Sequence, residues 1–160
     1  MLSSLENINQ GRTLLICAGV ISSLFAALHI IVIFIGAPAY RYFGAGEEMA
    51  ILDQNGSLIP ALVTLAVAFI LTIFAVYAFS GASLIRKIPF LRTGLLIITA
   101  IYLLRGIGVV ADAAMLVQHS NYPIRALIFS LTSLLTGLLY LLGLKMCWNN
   151  LRTSVSDESK

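Results

Sequence analysis

Residues 58–82 read LIPALVTLAVAFILTIFAVYAFSGA, twenty-five positions without a charged side chain. About 20 apolar residues carry an α-helix across a hydrocarbon core of roughly 30 Å, so this stretch alone is long enough to span a bilayer. Working outward, three further blocks have the same character, at residues 13–36, 93–117 and 124–147. A closed β-barrel is the other structure that satisfies every backbone polar group in lipid, but its strands alternate apolar and polar residues. Ile30-Ile31-Val32-Ile33-Phe34-Ile35 does not alternate. The expected fold class is therefore an all-α membrane protein, a four-transmembrane-helix bundle.

Composition agrees. The chain has 160 residues, 59% hydrophobic and 11% charged, with mean hydropathy +0.97; soluble domains carry about 25% charged residues. The four blocks fill a single transmembrane domain over residues 1–148, with a loop at 37–57 and a polar tail at 149–160 that reads as disordered. Arg12 followed by an apolar run, with Ala37-Pro38-Ala39 after it, has the outline of a cleaved signal peptide. The apolar core of such peptides spans only about 7–15 residues, so the first block reads as a retained helix.

Orientation follows from the basic residues. Arg12 precedes the first block, Arg86, Lys87 and Arg92 crowd the second loop, and Lys145 and Arg152 lie at the end of the fourth block and beyond it. The first loop instead holds Glu47, Glu48 and Asp53 against Arg41, and the third holds His119 with Arg125 at its edge. The positive-inside rule then makes both the N- and C-termini cytoplasmic and faces loops one and three outward. The net charge of +3 and pI near 9.1 reflect this topology and imply no nucleic-acid partner. The basic second loop is placed to touch anionic lipid heads. A chain this small, without a recognisable organelle signal, fits a bacterial inner membrane.

Cys17 and Cys147 fall at the inner ends of the first and fourth blocks, beside a reducing compartment, and read as small apolar filler. A quinone-linked disulfide oxidase would need thiol pairs facing outward, which this chain lacks. Trp148 and Tyr122 sit where interfacial rings are favoured. The halves echo faintly: Arg12-Thr13 matches Arg92-Thr93, and Pro60 to Tyr77 has the spacing of Pro123 to Tyr140. The first outer loop, APAYRYFGAGEE at 37–48, is richer in aromatic and charged residues than a plain connector requires.

Three strongly polar side chains lie well inside the blocks: His29 in the first, Arg105 and Asp112 in the third. Each costs about 2.5–3.5 kcal/mol to insert, so something must offset them. Arg105 and Asp112 are two turns apart on one helical face, with Gly108 between them and Tyr102 on the adjoining turn. Counting about 1.5 Å per residue places His29 and Asp112 at similar depth, where an imidazole and a carboxylate can pair. Ser22 and Ala26, with Gly19, Ser23 and Ala27, line small-residue rows that turn His29 inward. Ser130, Ser133, Thr136 and Gly137 on the fourth block, and Thr64 and Thr72 on the second, read as packing, their hydroxyls bonded to their own backbone or to a neighbouring helix.

The expected site is an outward-facing polar pocket that binds or helps transport a small molecule or lipid. Arg105 would hold an anionic group, with His29, Asp112 and Tyr102 around it and Arg41, Glu47 and Glu48 at the mouth. The same residues also fit a register-fixing helix clamp in an assembly subunit, or a membrane enzyme with a His/Asp pair. The enzyme is the weaker reading, because no nucleophile or metal motif accompanies the pair. No cofactor, metal or nucleic acid is expected; the expected partners are the lipid bilayer, the ligand and a second copy of the chain.

Overall fold

The computed structural model describes residues 2–119 and 122–151. All regular structure among them is helical: α1 (Leu2–Ile35), α2 (Ala37–Phe43), α3 (Glu47–Gln54), α4 (Ile59–Gly81), α5 (Leu91–Gln118), α6 (Ile124–Cys147) and a 3₁₀ turn at Trp148–Leu151. Four of them, α1, α4, α5 and α6, are long and apolar enough to cross a membrane, which marks a multi-pass membrane protein. Only 28% of the most apolar window of α1, α4 and α5, and 39% of that of α6, is buried. The remainder turns Leu, Ile and Phe outward over an area that water would not tolerate on a monomer.

The chain divides into two compact units, one of Met1–Val20 with Val76–Lys160, the other of Ile21–Ala75. In the first, α5 and α6 pack antiparallel at close range. A β-carbon built on Gly137 would lie 3.0 Å from the Leu103 nitrogen, and one on Gly106 would lie 2.5 Å from Leu134 Cα. As the chain climbs α5 the partner on α6 descends, and the absence of side chains at both glycines lets the backbones meet. Tyr102 and Tyr140 stack within the same contact, centroids 5.5 Å apart and 16° from parallel.

The start of α1 joins this unit, which corrects its expected first residue. The helix begins at Leu2 and not at Thr13, because Gly11 is part of a packing contact: a β-carbon there would lie 2.7 Å from both Cys147 Sγ and Met146 Cβ. Gly143 answers from α6, close to Leu15 and the Gly11 carbonyl. Tertiary packing thus extends a helix through a polar lead that hydropathy alone would end. Cys147 is buried, its thiol 3.7 Å from the Ile8 carbonyl, whereas Cys17 is exposed and not interior filler; both are free. Asn149–Leu151 belong to the 3₁₀ turn, and the tail at 152–160 lies outside the described residues.

In the second unit, the stretch expected as a loop at 37–57 folds into the α2–α3 hairpin. Gly36 at φ +75° turns the chain out of α1, a conformation that favours a residue without a β-carbon. Asp53 Oδ2 then accepts the Ala37 N–H at 2.7 Å, so a carboxylate from α3 neutralises one of the unpaired donors that open α2. Tyr40, Ala37, Ala39 and Ala50 are buried with Val32 beneath them. Gly44, in the left-handed region, ends α2 by giving its N–H to the Tyr40 carbonyl.

Candidate functional site

On α5, Arg105 and Asp112 are placed by the same helix but in different surroundings. Arg105 is exposed and Asp112 half-buried. Asp112 faces α6 and the turn before it: Tyr122 donates its hydroxyl to Oδ1 at 2.5 Å, and Ser130 donates to Oδ2 at 2.5 Å. Each carboxylate oxygen therefore has a donor, and one side chain ties α5 to both the connecting turn and α6. Gly108 leaves the space; a β-carbon on it would sit 3.6 Å from Ser130 Oγ.

Tyr122 had the position of an interfacial ring, and Ser130 that of a packing hydroxyl. Both donate to the carboxylate, Ser130 in the bond to a neighbouring helix that such hydroxyls make. Their neighbours behave as the sequence suggests: Ser133, Thr136 and Thr72 each donate to a carbonyl one turn back in their own helix. The Tyr122 phenol is pushed above the usual tyrosine range, first by its hydrogen bond to Asp112 and then by burial. It remains a donor at any physiological pH.

Arg105 lies midway along α5, roughly 20 Å from either end at about 1.5 Å per residue. Among the described residues no ion pair reaches it. Tyr102, one turn earlier, packs into the α5–α6 core against Tyr140 and is only 5% exposed. The structure thus separates the three α5 residues into a core ring, an exposed cation and a hydroxyl-bound carboxylate.

His29 belongs to the other unit, where it is half-buried. Its Nδ1 is 2.7 Å from the Phe25 carbonyl; a carbonyl only accepts, so Nδ1 carries a proton in that bond. The partner that the sequence suggested for His29 was Asp112, yet each side chain takes its hydrogen bonds within its own unit. Beside His29, an apolar groove of about 250 Å³ runs between Ile30, Ile33 and Phe34 of α1 and Leu58, Ala61, Leu62 and Leu65 of α4. It has no polar lining.

Arg41 and Glu47, expected at the mouth of the pocket, close the α2–α3 hairpin, and Glu48 flanks them. Arg41 Nε donates to Glu47 Oε2 at 2.9 Å and Nη2 to Oε1 at 2.7 Å, with Gln54 Oε1 at 3.2 Å. This fork geometry fixes orientation as well as charge. Glu47 and the exposed Glu48 occupy the first turn of α3, and Arg41 the last turn of α2, each favourable to its helix dipole. The bond from Arg41 holds the Glu47 carboxyl below its ordinary value. The pairing therefore contributes above the usual glutamate range and is lost as pH falls through the lowered one. Inside the hairpin, the Tyr40 hydroxyl is buried without a hydrogen-bond partner among the described residues. Sequence reading gave no sign of this, because hydroxyl satisfaction depends on the tertiary fit.

No family model, curated protein or solved structure matches this chain. The functional reading therefore rests on the side chains themselves.

Proposed function

We propose that this chain is a bacterial inner-membrane protein, both termini cytoplasmic, that binds an anionic amphiphile, a lipid or small molecule, through Arg105. The observation that carries this reading is an exposed guanidinium at the midpoint of an apolar helix with no ion pair among the described residues. Insertion costs about 2.5–3.5 kcal/mol for such a group, and its stem is too short to reach either interface from there. Asp112, two turns away, is already committed to Tyr122 and Ser130. A phosphate or carboxylate headgroup would supply the direct ion-pair partner that Arg105 lacks among the described residues, in the bidentate form that arginine suits.

The second reading, a helix clamp in an assembly subunit, draws support from Asp112, which bridges α5 and α6. The two readings divide at Arg105→Leu. Under the binding reading, the variant melts in detergent at or above the wild-type temperature, with a gain of up to about 3 kcal/mol from the removed charge. It also loses the anionic species that native mass spectrometry finds on the wild type. A fall in stability with no loss of bound species would assign Arg105 to the clamp.

The proposed orientation is supported by the basic end of the first unit. Arg12 on α1, Arg86 and Lys87 beyond α4, Arg92 on α5 and Lys145 on α6 gather where Gly11 meets Gly143 and Arg92 meets Trp148. A cysteine replacing Ser57 in a cysteine-free background is expected to react with an impermeant thiol reagent on intact cells. Reaction only after lysis would invert the topology.

A further inference from the structure

We propose that the turn Ala82–Phe90, together with Arg92 and Trp148, is a docking site for the headgroup of an anionic phospholipid, separate from Arg105. The turn is built to hold a shape. Ser83, at φ +62°, occupies the left-handed position after α4, with Leu84 N–H returned to the Phe79 carbonyl at 2.9 Å. Fully buried Ser80 grips the turn from below: its hydroxyl donates to the Arg86 carbonyl at 3.0 Å and accepts the Ile88 N–H at 3.2 Å. Phe90, at φ +55°, leads into α5.

The side chains this frame presents are of two kinds. Leu84, Ile85 and Phe90 are 58%, 45% and 79% exposed, an apolar edge that suits the boundary of a bilayer and not water. Arg86 and Lys87 stand exposed between them. Arg92 stacks 4.5 Å from the centroid of Trp148 and donates through Nη2 to the Trp148 carbonyl, while its Nε is buried without a partner among the described residues. No acidic residue occurs between Asp53 and Asp112 in the sequence. A surface with cations at headgroup height and apolar wedges at acyl height is complementary to an anionic phospholipid. A soluble anion would leave the wedges uncovered.

Trp148 is the only tryptophan in the chain, so its fluorescence reports on lipid at this site. The full protein is reconstituted in phosphatidylcholine bilayers containing either brominated phosphatidylglycerol or brominated phosphatidylcholine at equal mole fraction. Phosphatidylglycerol is expected to quench with an apparent association constant roughly fivefold higher for each cation engaged. The preference should fall toward parity in Arg86→Gln/Lys87→Gln, whose exposed positions leave the fold intact. In the unaltered protein it should fade in about 1 M salt, where the screening length is near 3 Å. Equal quenching by the two lipids, or a preference indifferent to both the double variant and salt, would overturn the proposal. So would relief of quenching by inorganic phosphate in the buffer, which would make this a soluble-anion site.

Discussion

Gly106→Ala is expected to destabilise the protein by about 2–3 kcal/mol, and Gly106→Leu to abolish the α5–α6 contact. The new β-carbon would lie 2.5 Å from Leu134 Cα and 2.7 Å from the Leu134 nitrogen. Both are backbone atoms, so no rotamer change relieves the clash; one helix must move away from the other. Overpacking of well-packed contacts costs about 1–3 kcal/mol, and here separation would also pull Ser130 from Asp112 and unstack Tyr102 from Tyr140. Gly108→Ala is the control on the same helix. Its β-carbon would meet only Ser130 Oγ, at 3.6 Å, and alanine gains up to about 1 kcal/mol in helix propensity over glycine. Unfolding in mixed detergent micelles should therefore show Gly106→Ala markedly weaker and Gly108→Ala unchanged or stronger. Equal stability of the two variants would mean that α5 and α6 do not approach at Gly106.

That contrast also marks what the sequence could tell. Length and hydropathy suffice to find four helices, because a spanning helix must be apolar along its whole length whatever it packs against. They do not say which glycine faces a neighbour. Gly108 drew attention by lying between Arg105 and Asp112, yet Gly106, two residues away, makes the close approach. The intramembrane charges were legible as polar groups out of place in lipid. Their partners were not, because depth along a helix says nothing of azimuth. An imidazole at matching height was the obvious partner for Asp112, whereas two hydroxyls, one in the turn and one on α6, take that role. The α2–α3 hairpin was hidden for a related reason. Glycines at 36, 44 and 46 read as loop punctuation, and the cap that organises them comes from Asp53, sixteen residues beyond the N–H it accepts.

Asp112→Ala should cost about 2–3 kcal/mol, since the carboxylate accepts two charge-assisted hydrogen bonds of about 1.5–3 kcal/mol each that are not additive. Hydrogen bonds between membrane helices average less, about 0.6 kcal/mol, because the separated helices find other partners in lipid. Asp112 is placed above that average because one ionised group accepts from both Tyr122 and Ser130. Asp112→Asn is expected to lose under about 1 kcal/mol: its carbonyl still accepts from one hydroxyl, and the other rotates to accept from the amide. Tyr122 offers a readout that generic destabilisation does not move. Its phenol is raised by donating to Asp112, so its contribution to stability is complete below the ordinary tyrosine range and is lost as pH rises through the elevated value. Ultraviolet titration of Asp112→Ala should show one raised tyrosine transition moving back toward ordinary behaviour, and Tyr122→Phe should remove that same transition. If Asp112→Ala leaves both the melting and the phenol unchanged, the carboxylate does not hold α5 to α6.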